Sequence, residues 1–194
     1  MKTFTTWLLR PFEKIAGWPA LLWGLAGMAL STLLSYLAGY HYHGLLHFGP
    51  APNDAWWVYA VEHLVVWLVP ALLFWAGGLL LSRSRIRPVD VFGTVAFAQL
   101  PLVGMNLYEF TPPMQRMAEF DFNRSMVEIA SDSRFLADSM WSLVGVLFLV
   151  LALIWMFNAL KVSCNLKGAK LGLLYAIAVL GGDAITRIII SSFY

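Results

Sequence analysis

RPVDVFGTVAFAQLPLVGMNLY, residues 87–108, decides how many times this chain crosses a bilayer. A helical span needs roughly 20 mostly apolar residues. The apolar part of this stretch, Val91–Tyr108, is shorter and is interrupted by Gln99, Pro101 and Asn106. Taken alone it reads equally well as a re-entrant segment. On either side the chain is less ambiguous: Pro19–Tyr40, Trp57–Leu81, Met140–Val162 and Ala169–Ile190 each meet the length with apolar residues. The flanking charges settle the count, because short cytoplasmic loops collect Lys and Arg. Lys2, Arg10 and Lys14 precede the first span, Arg83, Arg85 and Arg87 follow the second, and Lys161, Lys167 and Lys170 sit between the last two. The loop from His41 to Trp56 has no Lys or Arg, and the outer loop 109–139 sets Arg116, Arg124 and Arg134 against six acids. If 91–108 did not cross, the Lys161–Lys170 cluster would land opposite the arginines. The pattern predicts an all-α integral membrane bundle of five transmembrane helices, N-terminus cytoplasmic and C-terminus outside.

Composition agrees. Hydrophobic residues make up 60% of the 194 positions and charged residues 12%, against about 25% charged in ordinary soluble domains. A net charge of +2 without a basic, aromatic-rich patch excludes nucleic acid as a partner. Cys164 is the single cysteine, so no intrachain disulfide forms. The apolar run after Lys14 outlasts a signal-peptide h-region, which predicts an uncleaved first span. Trp7, Trp18, Trp56, Trp57, Tyr108 and Trp141 fall near the expected borders, where amphipathic rings favour the headgroup layer. Residues 6–15, with Trp7, Leu8, Phe12 and Ile15 among charges, read as an interfacial lead-in. In the outer loop, Met117, Phe120, Val127 and Phe135 recur as in a short amphipathic helix resting on the surface, and Pro112-Pro113 breaks the exit from the third span.

Three groups of polar residues are candidates for chemistry. His41, His43, His47 and His63, with Glu62 and Asp54, reach the outer face. His41 and His43 converge on a divalent metal if the chain is extended, and His43 and His47 if it is helical; imidazoles with a carboxylate suit zinc, copper or nickel. The alternative is a set of interfacial amphipaths. Asp183 and Arg187 lie one turn apart in the last span. An ionised Asp at a helix centre costs about 2.5–3.5 kcal/mol, and an i,i+4 Arg offsets part of that. The pair reads as an ion or proton site, or as a structural ion pair with Arg187 snorkelling outward. Glu62 and Pro70 in the second span, and Gln99, Pro101 and Asn106 in the third, line a cavity or mark packing kinks. Neither a His-Glu-x-x-His helix nor a Gly-x-Ser-x-Gly elbow is present, and the chain is expected not to be an enzyme.

The lead-in Trp7-Leu8-Leu9-Arg10-Pro11-Phe12 and the basic loop running into Arg87-Pro88-Val89-Asp90 through Gly93 to Pro101 resemble the bacterial branch of the YIP family, small multispanning proteins related to the Rab-interacting proteins of secretory membranes. The motif-level resemblance rests on Asp90, Gly93 and Pro101. It implies a five-span fold and a non-enzymatic scaffold or adaptor, with the bilayer, further copies or other membrane proteins as partners. It also points to a prokaryotic inner-membrane location. From the residues themselves, Asp90 at the start of the third span is expected to cap free amides and complement the helix dipole, and it can also pair with Arg87. The rival expectation is a small ion or metal transporter, with Glu62, His63, Asp183 and Arg187 facing a wet path.

Overall fold

The computed structural model describes residues 9–50, 55–121 and 123–194; Lys2, Trp7 and Asp54 lie outside them. Among the described residues five helical segments are long and apolar enough to cross a membrane, so this is a multi-pass membrane protein. A 3-10 turn, Pro11–Glu13, leads into α1, Gly17–Ala38. Gly39 ends α1 in the left-handed conformation (φ 69°), its N–H closing back on Ser35 and Tyr36 carbonyls. A two-stranded hairpin follows, β1 Tyr40–Tyr42 and β2 Phe48–Pro50, antiparallel with His41 opposite Gly49. The second span is α2, Trp56–Leu81. The third is broken into α3, Pro88–Ala98, and α4, Pro101–Tyr108. Short helices α5, Pro112–Ala118, and α6, Met126–Ser131, lead to α7, Ser133–Ser163, and α8, Gly168–Ser191, completes the bundle.

The third segment, Pro88–Tyr108, is long and apolar enough to cross, and its weak hydropathy has a physical reason. It is the central helix: 61% of its window is buried against protein, compared with 22–33% in the other four spans. Its residues face neighbours rather than lipid and need not be uniformly apolar. Contact with α1 is the most extensive in the fold and depends on missing side chains. A Cβ on Gly24 would lie 2.5 Å from the Ala96 backbone, and one on Gly93 would lie 2.7 Å from the Gly17 carbonyl. Small residues let membrane helices approach closely where no hydrophobic drive between helices exists. Gly93 and Asp90 of the motif therefore sit on the α1–α3 seam: Asp90 Oδ2 is 3.6 Å from Arg87 Nε, and Oδ1 is near Gly17. The expected cap is corrected: Arg87 holds the N-cap position with no side-chain capping bond, and Asp90 sits in the first turn.

Both proline interruptions are compensated. Pro101 has no N–H for the Phe97 carbonyl, and Leu100 N–H takes that carbonyl at 3.1 Å in a tighter turn. Pro70 similarly deprives Val66, four residues earlier, of its donor. Gln99, in the break of the third span, donates its Nε2–H to the Val66 carbonyl at 3.1 Å. The polar residue and the two prolines form one packing device.

Several expected details are corrected. The lead-in does not simply lie on the surface: Phe12 is buried and meets Phe97 edge-on at 5.7 Å, while Asn158 donates to the Leu9 carbonyl. The outer loop holds two short helices instead of one amphipathic helix, and Met126 and Val127 stand 81% and 79% exposed. The fourth span begins at Ser133 rather than Met140, because Asp132 caps it by accepting from Arg134 and Phe135 N–H at 3.1 Å. At 31 residues α7 extends about 46 Å, longer than the roughly 30 Å hydrocarbon layer. Its overhang is tied down by Arg116, which donates to both oxygens of Asp138 at 2.8 and 2.5 Å, and by the Phe120–Phe135 contact at 4.3 Å. Tyr108 is buried, its hydroxyl donating to the Trp141 carbonyl, so it acts as a packing residue and not as a border aromatic.

The two ends of the bundle differ. At one, Ile86 and Cys164 meet around Gly78 and Asn165 donates to Ser84, bringing together the loops of Arg83, Arg85, Arg87 and Lys167. At the other lie the hairpin, Glu109, the outer-loop helices and Tyr194.

Candidate functional site

Beneath the hairpin, polar side chains from four of the five spans meet. Glu62, in the second turn of α2, is fully buried, as is His41 on β1. His41 Nδ1 lies 3.0 Å from Glu62 Oε1, Tyr42 N–H donates to Oε2 at 3.0 Å, and the Tyr194 hydroxyl donates to Oε1. The C-terminal residue, the first strand and the second span are thus joined on one carboxyl group. Tyr59, one turn before His63, stacks on the His41 ring at 3.9 Å. On the opposite side of the strand Tyr42 points inward. Asn106 of α4 donates Nδ2–H to its hydroxyl at 3.0 Å and to the Ser31 carbonyl at 3.1 Å. His63 Nδ1 pairs with Thr32 Oγ1 of α1 at 2.9 Å, and Ser35 donates to the Tyr40 carbonyl. Burial raises the Tyr42 and Tyr194 phenols above their ordinary range, the latter helped by Glu62, and raises Tyr40 to about 12.

The turn 43–47 rests on α8. Leu45 N–H donates to Thr186 Oγ1 at 3.0 Å and Leu46 N–H to Asp183 Oδ1 at 2.9 Å, while His47 Nδ1 is 3.1 Å from the same oxygen. Gly44 allows this approach, since a Cβ there would meet Arg187 Cγ at 2.6 Å. The expected Asp183–Arg187 ion pair is therefore corrected: among the described residues none links them. The hairpin turn offers Asp183 two donors, and the Arg187 guanidinium is left to reach outward. A sequence reading limited to one helix could not find partners 136 and 137 positions away.

The four histidines do not converge on one point. His41, on β1, and His43, just past its end, have ring centres 6.4 Å apart, but His41 is taken by Glu62, His43 Nε2 by the Pro50 carbonyl, His47 by Asp183 and His63 by Thr32. Among the described residues no three of His, Cys, Asp and Glu form a group that could hold a metal ion. Of the other candidates, Gln99 lies mid-bundle on Val66, and Asp90, Gly93 and Pro101 belong to α1–α3 packing and the helix break.

Sequence reasoning missed Tyr42, Thr186, Tyr194 and Glu109. Glu109 is 6% exposed, one residue past α4, and burial pushes its carboxyl up to about 7. Its position immediately after an apolar run was the available signal. Toward the other end polar side chains give way to a tight apolar core containing Phe12, Val91, Phe97, Met156, Leu160 and Leu166. The arrangement can hold a hairpin and a chain terminus rigidly on the bundle. No protein-family model, curated protein or solved structure matches this chain.

Proposed function

We propose that this chain is a non-enzymatic membrane scaffold or adaptor of the YIP-like kind, in the cytoplasmic membrane of a prokaryote. Its partners are the bilayer and other membrane proteins or further copies of itself. The observation that carries the reading is the use made of the buried polar groups. Glu62, Asp183, Gln99 and Asn106 each hold parts of the fold together, and below them the core is apolar side chains in contact. Ion translocation needs a continuous polar path, and moving any of these groups would break the fold's own hydrogen bonds. Adaptors need rigid surfaces, and α1 carries Trp18, Leu22, Trp23, Leu30 and Leu33 outward.

An N-terminus inside and a C-terminus outside are part of the proposal. They are supported by the loop basic residues Arg10, Lys14, Arg83, Arg85, Arg87, Lys161 and Lys167 flanking spans at one end, with the acidic outer-loop residues at the other. The test pairs two assays. Photo-crosslinking residues at Leu22 and Leu33 in native membranes should yield discrete protein adducts, and reconstituted protein should leave proteoliposome ion gradients intact. Selective dissipation of a cation gradient, with no adducts, would refute the scaffold reading in favour of transport.

A further inference from the structure

A recess opens at the hairpin end between α4, α5, the outer part of α7 and the two strands, with a volume of 210 Å³. Its walls include the rings of Tyr40, Phe48 and Tyr108, and its floor runs onto Val146 and Leu149 of α7. One ionisable acid lines it, Glu109, whose Oε2 is enclosed and has no hydrogen-bond partner among the described residues. Among the described residues the lining contains no Lys, Arg or His.

We propose that this recess binds an ammonium group, carried by an ethanolamine-type lipid headgroup or by a small free amine. A buried carboxylate without a partner is costly, and a cation removes that cost. The chemistry of the walls selects the kind of cation. A hard metal ion gathers six or more oxygen ligands, whereas here one carboxyl group stands among aromatic faces, which attract ammonium groups through the ring quadrupole. An anion is excluded by Glu109. The floor supplies the second half of the match. Val146 is 49% exposed, and its neighbours Leu147 and Val150 also face outward, so a molecule with its head at Glu109 can lay an apolar chain along α7.

Binding should depend on pH. The ammonium pairs with the ionised form of Glu109, so affinity rises as pH passes about 7. The other titratable groups near it are phenols, Tyr40 and Tyr42 from β1 and Tyr108 from α4. The residues lining the recess from β2, α5 and α7 are Phe48, Met114, Ser142, Gly145, Val146 and Leu149, none of which titrates.

The test uses the full chain in nanodiscs at pH 8. Ethanolamine is titrated by calorimetry, and retention of phosphatidylethanolamine over phosphatidylglycerol is read by native mass spectrometry. We expect Glu109→Gln to weaken binding at least tenfold, and Glu119→Gln, an exposed acid outside the recess, to leave it unchanged. Retained lipid without ethanolamine binding identifies the headgroup as the source, and the reverse identifies a free amine. Glu109→Gln keeps the shape and removes an unpartnered acid, so it should melt no lower than the native chain. Should it misfold, carbodiimide labelling of native Glu109 decides: ethanolamine or phosphatidylethanolamine must slow it. Undiminished binding by Glu109→Gln, failure of the native chain to bind either molecule, or labelling indifferent to both overturns the proposal.

Discussion

Glu62→Ala removes the acceptor on which β1, α2 and the C-terminal residue meet. Three donors face that carboxyl group: His41 Nδ1, Tyr42 N–H and the Tyr194 hydroxyl. Tyr194 is 45% exposed and can turn to water. Tyr42 N–H is held by the strand and cannot. His41 Nδ1 keeps a second neighbour, the Tyr194 hydroxyl at 2.9 Å, whose oxygen can accept its proton. One buried donor, Tyr42 N–H, is left unsatisfied at about 1–3 kcal/mol, or about 2 kcal/mol at the middle of that range. For a chain of this length that corresponds to a fall in Tm of about 4–8 °C in detergent. Glu62→Gln is the control. Its oxygen can keep Tyr42 N–H while its amide faces Tyr194 and His41, which can both switch to accepting. We expect a loss of about 1 kcal/mol. Differential scanning calorimetry of the three proteins checks this. A Glu62→Ala protein melting with the native chain, or a Gln variant as damaged as the Ala variant, would refute the argument.

Gly24→Leu drives a side chain into the Ala96–Phe97 backbone, so it should cost at least about 1–3 kcal/mol, seen as a lower Tm; an unchanged Tm would mean that α1 and α3 do not meet there. Asp183→Ala should destabilise by about 1–3 kcal/mol through the orphaned Leu46 N–H, whereas Asp183→Asn keeps an acceptor and Arg187→Ala removes no partner, so both should melt near the native protein. Burial holds the Glu109 pKa above its unfolded value, so the folded state retains a proton that the unfolded chain releases. Its contribution to stability is full below about pH 4.5 and is lost as pH rises toward about 7; Tm measured over that range should fall less steeply in Glu109→Gln. Cys164 is fully buried and burial raises its thiol pKa, so it should resist maleimide from either side. In a Cys164→Ser background, His43→Cys should label in intact cells and Arg85→Cys after permeabilisation, and the reverse order would invert the proposed orientation.

The five crossings were legible because loop charges and apolar runs are properties of single segments. Third-span residues were legible as anomalies but not as answers. Gln99 looked like an interruption until its partner proved to be the carbonyl freed by Pro70, on another helix. Asp183 was legible as a buried acid in need of a partner, and the nearest cation in sequence, Arg187, was the wrong one. The true partners are the Leu46 amide of the hairpin turn, which a side-chain pattern does not record, and the His47 ring, far away in sequence. Tyr42, Tyr194 and Glu109 were missed for the same reason: each matters through a neighbour distant in sequence. The hairpin itself carries too few residues for an alternating pattern to rise above its histidines and glycines.

The claim that the hairpin-end polar cluster is a sealed structural tie is tested most directly by hydrogen exchange at three amides. Tyr42, Leu45 and Leu46 donate to Glu62, Thr186 and Asp183, side chains that only a closed bundle holds in place. We expect these amides to exchange as slowly as those of the neighbouring helices, at pH 6 and pH 8 alike. Exchange at the rate of an open loop would mean that water reaches Glu62 and Asp183, and would contradict the scaffold account in favour of a wet path.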